Sequence, residues 1–197
     1  MKNNNNLDKW RKDIVFSAKL AEENLVFHTT WGIFSPKEID DGTQLLINLM
    51  QIEPNNNCLD LGCGYGPIGL YMARRAPDGQ TLMVDKDFMA VNYSNANAER
   101  NNLKNAKAML SNAFDHIDPS LRFDVIASNI PAKVGKEMLS LILNDAKQRL
   151  NPGGMLYVVT INGLRQYMKR NLSEVFGNYK KLKQGKTYTV ACAQNPN

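Results

Sequence analysis

A glycine-rich loop between an apolar run and a helical pattern constrains this chain more than any other feature. Residues 59–66 read Leu-Asp-Leu-Gly-Cys-Gly-Tyr-Gly, so an apolar run that ends in Asp60 is followed by three glycines. Glycine is favoured where the backbone must approach a ligand closely or adopt a positive φ angle. The helix predicted behind the loop would direct its positive N-terminal end at the same place. The pattern predicts a strand–loop–helix unit that binds a small molecule.

A second carboxylate follows at the spacing that nucleoside-binding units use. The apolar run 81–84 ends in Asp85. An acidic residue about 20 residues after the glycine loop binds ribose hydroxyls in such units. The two segments therefore predict a nucleoside-binding βαβ unit and leave open which nucleoside it takes.

Two cofactor classes compete for this loop. Residues 64–69 also match the G-x-G-x-x-G pattern of dinucleotide-binding domains, which is weak support when it stands alone. The pattern does not follow the strand directly, because Asp60, Gly62 and Cys63 intervene. A carboxylate at the strand end is also unfavourable beside a pyrophosphate and suits a ligand with a cationic amino-acid group. The segment 59–66 resembles the first motif of the class I S-adenosylmethionine-dependent methyltransferases.

The rest of the chain agrees with that resemblance in order. Further strands are predicted at 107–110, 123–127 and 155–159, helices at 67–76, 88–102, 135–150 and 162–175, and a turn at 150–154. Strands that alternate with helices form a parallel sheet, and ligands bind at the carboxyl ends of its strands. Asp60, Asp85, Asn112 and Asn129 all fall at such ends.

The predicted fold class is α/β, with a doubly wound, mostly parallel seven-stranded sheet and an antiparallel C-terminal hairpin. The segments 179–183 and 187–192 form that hairpin, which the methyltransferase fold has and a plain dinucleotide-binding domain lacks. The segments 13–19 and 25–30 predict a small N-terminal β cap. We expect one domain over 1–197, with the cap at about 1–34 and the catalytic core at 35–197.

Composition limits the classes that remain. The three cysteines are an odd number without metal-like spacing and only two histidines are present, so we expect no metal site and reduced, buried thiols. No signal-peptide pattern is seen, and no apolar run approaches the roughly 18 residues that span a membrane. We therefore expect a cytoplasmic protein.

Positive charge is concentrated in the C-terminal part. The formal net charge is +5, whereas residues 164–197 alone carry seven basic side chains against one acidic, or +6. A basic stripe suits contacts to nucleic-acid phosphates, which makes RNA the expected partner. A solvated helix face followed by a lysine-protected edge hairpin explains the same charges equally well.

The end of the fourth predicted core strand carries the candidate catalytic residues Asn129, Ile130 and Pro131. An exocyclic amine of a base is a poor nucleophile because its lone pair is delocalised into the ring. The side-chain carbonyl of Asn129 can accept an N–H bond of that amine. Pro131 forces Ile130 into extended geometry, which directs the Ile130 carbonyl as a second acceptor. Since only this carbonyl is needed, we expect Ile130→Pro to be tolerated or to raise activity. An ordinary turn explains the same residues as the alternative.

A narrower resemblance concerns the segments on either side of the first motif. Residues 32–35 and 39–46 look like the region that precedes this motif in the small-subunit ribosomal RNA guanine-N2 methyltransferases and their single-domain archaeal relatives. Residues 133–137 and 176–178 match the small relatives as well. The similarity covers residues 14–193, nearly the whole chain.

The resemblance implies a cofactor, S-adenosyl-L-methionine, and a role for each matching residue. Asp60, Gly62 and Gly64 would line its methionine end, Asp85 its ribose, Asn112 and Ala113 its adenine, and Thr43 the entrance. The full implied cofactor set is Thr43, Asp60, Gly62, Cys63, Gly64, Asp85, Lys86, Asn112, Ala113 and Asn129. The implied catalytic set is Asn129, Ile130 and Pro131, which would hold the target amine.

One departure from the family pattern affects the substrate side. The usual motif is Asn-Pro-Pro followed by an aromatic or aliphatic residue, whereas this chain has Ile130 in place of the first proline and Ala132 in the last position. Phe34 or Trp31 could stack on a base instead, or either could belong to the core. The expected function is N-methylation of an exocyclic amine, guanine N2, in ribosomal RNA. Methylation of a protein glutamine or a small molecule, and a cofactor- or RNA-binding module without turnover, stay open.

Overall fold

A seven-stranded sheet with helices on both faces forms the body of the protein in the computed structural model, which describes residues 13–131 and 133–196. In chain order the elements of the described residues are β1 (Ile14–Leu20), β2 (Glu23–Thr29), α1 (Asp41–Ile47), β3 (Cys58–Leu61), α2 (Pro67–Arg75), β4 (Thr81–Asp85), α3 (Phe88–Arg100), β5 (Ala106–Leu110), β6 (Phe123–Asn129), α4 (Lys136–Arg149), β7 (Leu150–Ile161), a 3-10 turn (Asn162–Leu164), α5 (Arg165–Phe176), β8 (Lys180–Gln184) and β9 (Tyr188–Gln194).

The order of the strands confirms the predicted fold class. Across the sheet the order is β5-β4-β3-β6-β7-β9-β8; the first five strands are parallel, and β9 runs antiparallel to both of its neighbours. The direction of winding reverses between β3 and β6, which lie side by side. In such sheets a crevice opens outside the carboxyl ends of the strands at this switch point.

Each face of the sheet buries its own apolar core. One core packs α1, α2 and α3 together with the N-terminal hairpin against the sheet, and the other packs α4 and α5 against the opposite face. All four residues of β3 are buried because both faces of this central strand are covered. Asp60 is therefore a carboxylate inside a core strand, a position that an acidic residue rarely occupies without a specific reason.

The N-terminal hairpin forms as predicted and docks on α3. β1 and β2 pair antiparallel over their full length. The carboxamide of Asn101 bonds both the N–H and the C=O of Val26, at 2.9 and 2.8 Å. The carboxamide of Asn97 bonds both groups of His28 in the same way, at 2.9 Å each. Two side chains one helical turn apart thus pair with β2 as a neighbouring strand would.

Two local features differ from the sequence-based expectation. No element was predicted at 41–47, where the structure has helix α1; its N-cap Asp40 accepts a hydrogen bond from the Thr43 N–H at 3.1 Å. The turn predicted at 150–154 lies inside β7 instead, as an irregularity in its pairing with β6. Gly153 has φ of +79° there, and its N–H bonds the Asn195 carbonyl, so C-terminal residues hold this irregular backbone in the sheet.

Candidate active site

A cavity of about 620 Å³ opens at the carboxyl ends of β3, β4, β5 and β6. Eleven of the twelve residues predicted for the site line it, and Asp60 alone does not. The eleven are Thr43, Gly62, Cys63, Gly64, Asp85, Lys86, Asn112, Ala113, Asn129, Ile130 and Pro131. Residues separated by almost 90 positions in the sequence therefore meet at the switch point of the sheet.

The glycine loop presents bare backbone to this cavity. Gly62 and Gly64 have φ of +76° and +56°, and the space where each would carry a side chain is open. The N–H of Gly64 donates to the Asp85 carboxylate at 2.9 Å, and the Gly62 and Cys63 N–H groups bond the Val84 carbonyl. The loop is thus held from the β4 side, and the space above it is left for a ligand.

Asp60 lies beneath the loop rather than on the cavity surface. It is completely buried; one oxygen accepts the Gly69 N–H at 2.8 Å, and the other has no hydrogen-bond partner among the described residues. Burial raises the pKa of Asp60 to about 7, against the opposing effect of the Gly69 hydrogen bond, and the nearby charge of Asp85 adds to the rise. A side chain at Gly69 would come within 2.3 Å of the buried Met83, which explains a glycine inside α2.

Cys63 contributes its backbone to the cavity and its thiol to the packing behind the loop. The Cys63 Sγ lies 3.5 Å from the hydroxyl of Ser94 on α3, and that hydroxyl donates to the Gly64 carbonyl at 2.9 Å. Burial raises the pKa of the Cys63 thiol well above its usual range. All three cysteines are free and buried, as predicted.

The ends of β4 and β5 form the far side of the cavity. Asp85 accepts the Gly64 N–H with one oxygen and the Asp87 N–H with the other, at 2.9 and 3.0 Å. Lys86 is exposed at the rim. The Asn112 amide bonds the Asp115 carboxylate at 3.1 Å, and Ala113 follows with φ of +49°.

On the substrate side, the carboxamide of Asn129 is fixed in orientation. Its Nδ2 donates to an Asp40 carboxylate oxygen and to the Thr43 hydroxyl, both at 2.9 Å. An ionised carboxylate can only accept, so the amide nitrogen must face Asp40, and the side-chain carbonyl is left for another donor. Thr43 is buried beside Asn129 and lines the cavity.

Asp40 was not predicted as a site residue, although its carboxylate accepts three hydrogen bonds at the site. Besides Asn129 and the Thr43 N–H, it accepts from the Tyr188 hydroxyl of β9 at 2.9 Å. Burial, together with this bond to Asp40, raises the pKa of Tyr188, so the phenol stays protonated and donates. The sequence signal for this residue is its type, because aspartate is a preferred N-cap residue at the start of a helix.

Ile130 corrects one expectation about the motif. Its backbone N–H donates to the Val159 carbonyl at 3.0 Å, and its side chain is buried. Proline at this position would remove the donor and leave a carbonyl of β7 without its partner. Ile130→Pro is therefore expected to be destabilising rather than tolerated.

Of the two aromatic candidates for stacking on a base, only Phe34 lines the cavity. Its side chain is 65 % exposed beside the cavity, whereas Trp31 is absent from the lining and has the Lys37 ammonium 4.8 Å from its ring. Ala132, at the last position of this motif, lies outside the described residues. His28 and His116 are also absent from the lining.

The described residues contain neither a metal-binding cluster nor a membrane-spanning helix. Within 13–131 and 133–196, no cluster of three or more His, Cys, Asp or Glu side chains is arranged to bind a metal ion. No helix in the same ranges has the length and apolar character that crossing a bilayer requires.

The fold and this cavity define a class I S-adenosylmethionine-dependent methyltransferase. S-adenosylmethionine suits the residues present: the open backbone of Gly62 and Gly64 can approach it, and Asp85 carries acceptor oxygens at the end of β4. The Asp60 carboxyl, with one oxygen unpartnered among the described residues, lies under the loop, where a ligand ammonium group would favour its ionised form. The family model of the methyltransferase small domain matches residues 24–192, and the chain belongs to this family.

The chain is 37 % identical over 145 residues to the uncharacterized protein YbxB of Bacillus subtilis. The aligned region covers 73 % of this chain and 72 % of that protein. It is 33 % identical over 177 residues to ribosomal RNA small subunit methyltransferase C of Haemophilus influenzae strain PittGG, covering 88 % of this chain and 52 % of the relative. The solved T. thermophilus 16S rRNA N2 G1207 methyltransferase, in complex with AdoMet and guanosine, superimposes with a TM-score of 0.84 at 30 % identity, over 93 % of this chain and 50 % of that one.

The chain spans about half the length of these ribosomal RNA methyltransferase C relatives. More distant structures share the fold alone, such as a precorrin-6y C5,15-methyltransferase from Geobacter metallireducens at 12 % identity and a TM-score of 0.69.

Proposed function

We propose that this protein transfers a methyl group to an exocyclic amine of ribosomal RNA, the N2 of a guanine. The observation that carries the proposal is the fixed Asn129 carboxamide, whose nitrogen is bound by Asp40 and Thr43 and whose carbonyl is left for a substrate amine. The names of the relatives support the RNA substrate: one is a ribosomal RNA small subunit methyltransferase, and one was solved with guanosine.

The chemistry requires alignment and two hydrogen-bond acceptors. The Asn129 and Ile130 carbonyls accept the two N–H bonds of the amine and draw its nitrogen out of conjugation with the ring, so that the lone pair becomes available. Bound S-adenosylmethionine would supply the electrophilic methyl group. Positioning of this kind is an effective contribution to displacement reactions, since it removes the entropy cost of aligning the reactants.

Asp40 acts through Asn129 as a positioning residue. Its negative charge lies at hydrogen-bond distance from the Asn129 amide nitrogen, so it polarises the amide and makes the carbonyl a stronger acceptor. Tyr188 holds the second oxygen of Asp40 and thereby fixes the carboxylate in this orientation.

Phe34 is the proposed stacking partner for the guanine. It lines the same cavity as Asn129 and exposes most of its ring, and a core phenylalanine would not do so. Stacking on an aromatic ring is the usual way to hold an unstacked base. Phe34 thus takes the role of the aromatic residue that the Asn129–Ala132 segment lacks.

On the cofactor side, we propose that the Gly62, Cys63 and Gly64 backbone contacts the methionine part and that Asp85 binds the ribose hydroxyls. Asn112 and Ala113 border the adenine site, with Lys86 at the rim. Asp60 does not reach the cavity surface, so it would act from beneath the loop, in the ionised form that a bound ammonium group favours.

Methyl transfer to RNA tests the proposal directly. We would incubate the protein with radiolabelled S-adenosylmethionine and either small-subunit ribosomal RNA, total protein or metabolite extract, and then digest labelled RNA to nucleosides. The expected product is N2-methylguanosine in the RNA arm alone. Label in glutamine or in a small molecule, with none in RNA, would overturn the proposal in favour of another substrate of the same fold.

Asn129→Ala separates catalysis from binding in this assay. We expect turnover to fall by on the order of 10²–10³-fold, by analogy with the removal of one preorganised polar group. Calorimetric affinity for S-adenosylhomocysteine should stay nearly unchanged. Asn144→Ala, on α4 outside the cavity, is the matched control with the same side-chain deletion. Unchanged turnover in Asn129→Ala would remove the amine-holding role.

A further inference from the structure

A second cleft lies apart from the catalytic cavity, between α5 and the edge strand β8. It has a volume of about 280 Å³ and is lined by Arg165, Gln166, Lys169, Tyr179 and Lys181. Three of its five side chains are cationic, and none of them belongs to the catalytic cavity.

The structure separates the C-terminal lysines that the sequence groups together. Cross-strand partners share a face of the sheet, and Lys181 pairs with Ala191, whose side chain packs in the core beside α4 and α5. Lys180 and Lys183 pair with Cys192 and Val190, which belong to the opposite core. A bulge between residues 181 and 183 produces this division, so only Lys181 of the three faces the cleft.

The cations of the cleft have no acidic partners among the described residues. The salt bridge nearest in the helix, Arg170 to Glu174 at 3.8 Å, involves neither Arg165, Lys169 nor Lys181. Arg165 donates to the Gln184 side chain at 2.6 Å, which places its guanidinium beside β8 without neutralising it. Tyr179 adds a half-buried aromatic ring with a hydroxyl donor. Such a set of cationic and hydroxyl donors around one cleft suits phosphate oxygens.

The cleft begins at the edge of the sheet that carries the catalytic cavity. Asn129 at the end of β6 pairs with Val159 of β7, and α5 starts just beyond the end of β7. Tyr188, which holds Asp40 at the catalytic cavity, pairs with Ile161 at the same end of β7. The exposed Lys186, in the turn between β8 and β9, lies at this same end of β7, since its carbonyl accepts a hydrogen bond from Asn162 at 2.9 Å.

We propose that this cleft binds the phosphate backbone of the RNA strand whose guanine enters the catalytic cavity. The inference rests on the proposed function, since it takes RNA as the substrate. Phosphate contacts supply affinity and fix the register of the strand, and the cavity then selects the base.

The test compares two variants with equal charge. The cleft variant carries Arg165→Gln, Lys169→Gln and Lys181→Gln; the control carries Lys104→Gln, Lys180→Gln and Lys183→Gln, which lie outside the cleft. Each lowers the formal net charge from +5 by three, to +2. Binding of a fluorescein-labelled, guanine-containing single-stranded RNA would be measured from about 50 to 200 mM salt, a range over which phosphate contacts dominate the change.

The expected result is a loss specific to the cleft variant. Each lost phosphate contact should reduce the magnitude of the slope of log K against log salt by about 0.7–0.9. The slope of the cleft variant should therefore be smaller by roughly 2 to 3, and its RNA binding should be weaker on the order of tenfold. The control should stay near wild type, and both should bind S-adenosylhomocysteine normally. Equal slopes in the two variants would show a net-charge effect and overturn the proposal. Competition by polyglutamate as strong as that of RNA would also overturn it, because the cleft would then select acidic protein.

Methyl transfer to RNA distinguishes failure of this proposal from failure of the proposed function. If the wild-type protein methylates RNA and the cleft variant keeps the wild-type salt slope, the proposal for the cleft is wrong and the proposed function stands. A cleft-dependent slope without methyl transfer to any RNA would reject the function and leave the cleft as an RNA-binding site.

Discussion

The two halves of the catalytic cavity are built in different ways. The cofactor half is made of short contiguous segments, the loop 62–64 and the β4 end at Asp85, and backbone groups hold it together. The substrate half depends on three segments that are distant in the sequence. They supply Phe34 with Asp40, Asn129, and Tyr188 behind Asp40, and side-chain hydrogen bonds link Asp40, Asn129 and Tyr188. Damage to the first half should therefore appear in cofactor binding or stability, and damage to the second in turnover.

The largest effect expected on the cofactor side concerns Asp60 and pH. Its pKa is raised to about 7 in the folded protein by burial, while an unfolded chain releases this proton near 3.8. Between these values the folded state binds more protons, so the free energy of unfolding should fall as pH rises from about 4 to 7. The shift of roughly three pKa units sets an upper limit of about 4 kcal/mol on the fall.

Asp60→Asn isolates this effect. We would measure the free energy of unfolding of both proteins by denaturant titration without ligand. From pH 4 to pH 8 the wild type should lose stability relative to the variant, so the free energy of the variant minus that of the wild type should increase. Saturating S-adenosylhomocysteine should reduce this increase, because its ammonium group favours the ionised carboxylate. A difference that is independent of pH would mean that Asp60 is not protonated in the folded protein.

An intermediate effect is expected at Asp85. Asp85→Ala removes the acceptor for the Gly64 N–H and the proposed ribose contacts, and loss of a charge-assisted bond costs about 1.5–3 kcal/mol. Calorimetry should show S-adenosylhomocysteine binding weakened by that amount. Asp78→Ala, remote from the cavity lining, is the matched control. Tight binding of a nicotinamide dinucleotide instead of this ligand would contradict the assignment of the whole cofactor half.

The smallest effect is expected at Asp40, where a change should affect turnover without affecting cofactor binding. Asp40→Asn keeps the size of the side chain but removes the charge that polarises Asn129, so turnover should fall by roughly tenfold, about 1.4 kcal/mol, with cofactor affinity unchanged. Tyr188→Phe removes one bond to Asp40 and should cost about 0.5–1.5 kcal/mol in the same direction. Because Asp40 acts on positioning, the loss should be in kcat rather than in KM. Equal losses of cofactor affinity would show that Asp40 supports the fold of the cavity instead.

The unequal construction of the halves also explains how much the sequence could reveal. Asp60, the glycine loop and Asp85 lie within 26 positions, and their spacing reflects the local geometry of one βαβ unit. The sequence therefore predicted the fold and the meeting of the loop and Asp85 at one cavity. The bond from Tyr188 to Asp40 spans 148 positions, and no local pattern encodes such a pairing. The Ile130 N–H bond and the division of the lysines depend on strand register and on a bulge, which appear only once the sheet is assembled.

The pairing of α3 with the N-terminal hairpin also protects an exposed strand margin. A strand at the margin of a sheet normally presents unbonded N–H and C=O groups, which recruit strands of other molecules and promote aggregation. On β2 the outward groups of Val26 and His28 are already taken by the carboxamides of Asn101 and Asn97. Two asparagine side chains thus occupy the hydrogen-bonding groups through which a strand of another molecule would pair with β2 at these positions.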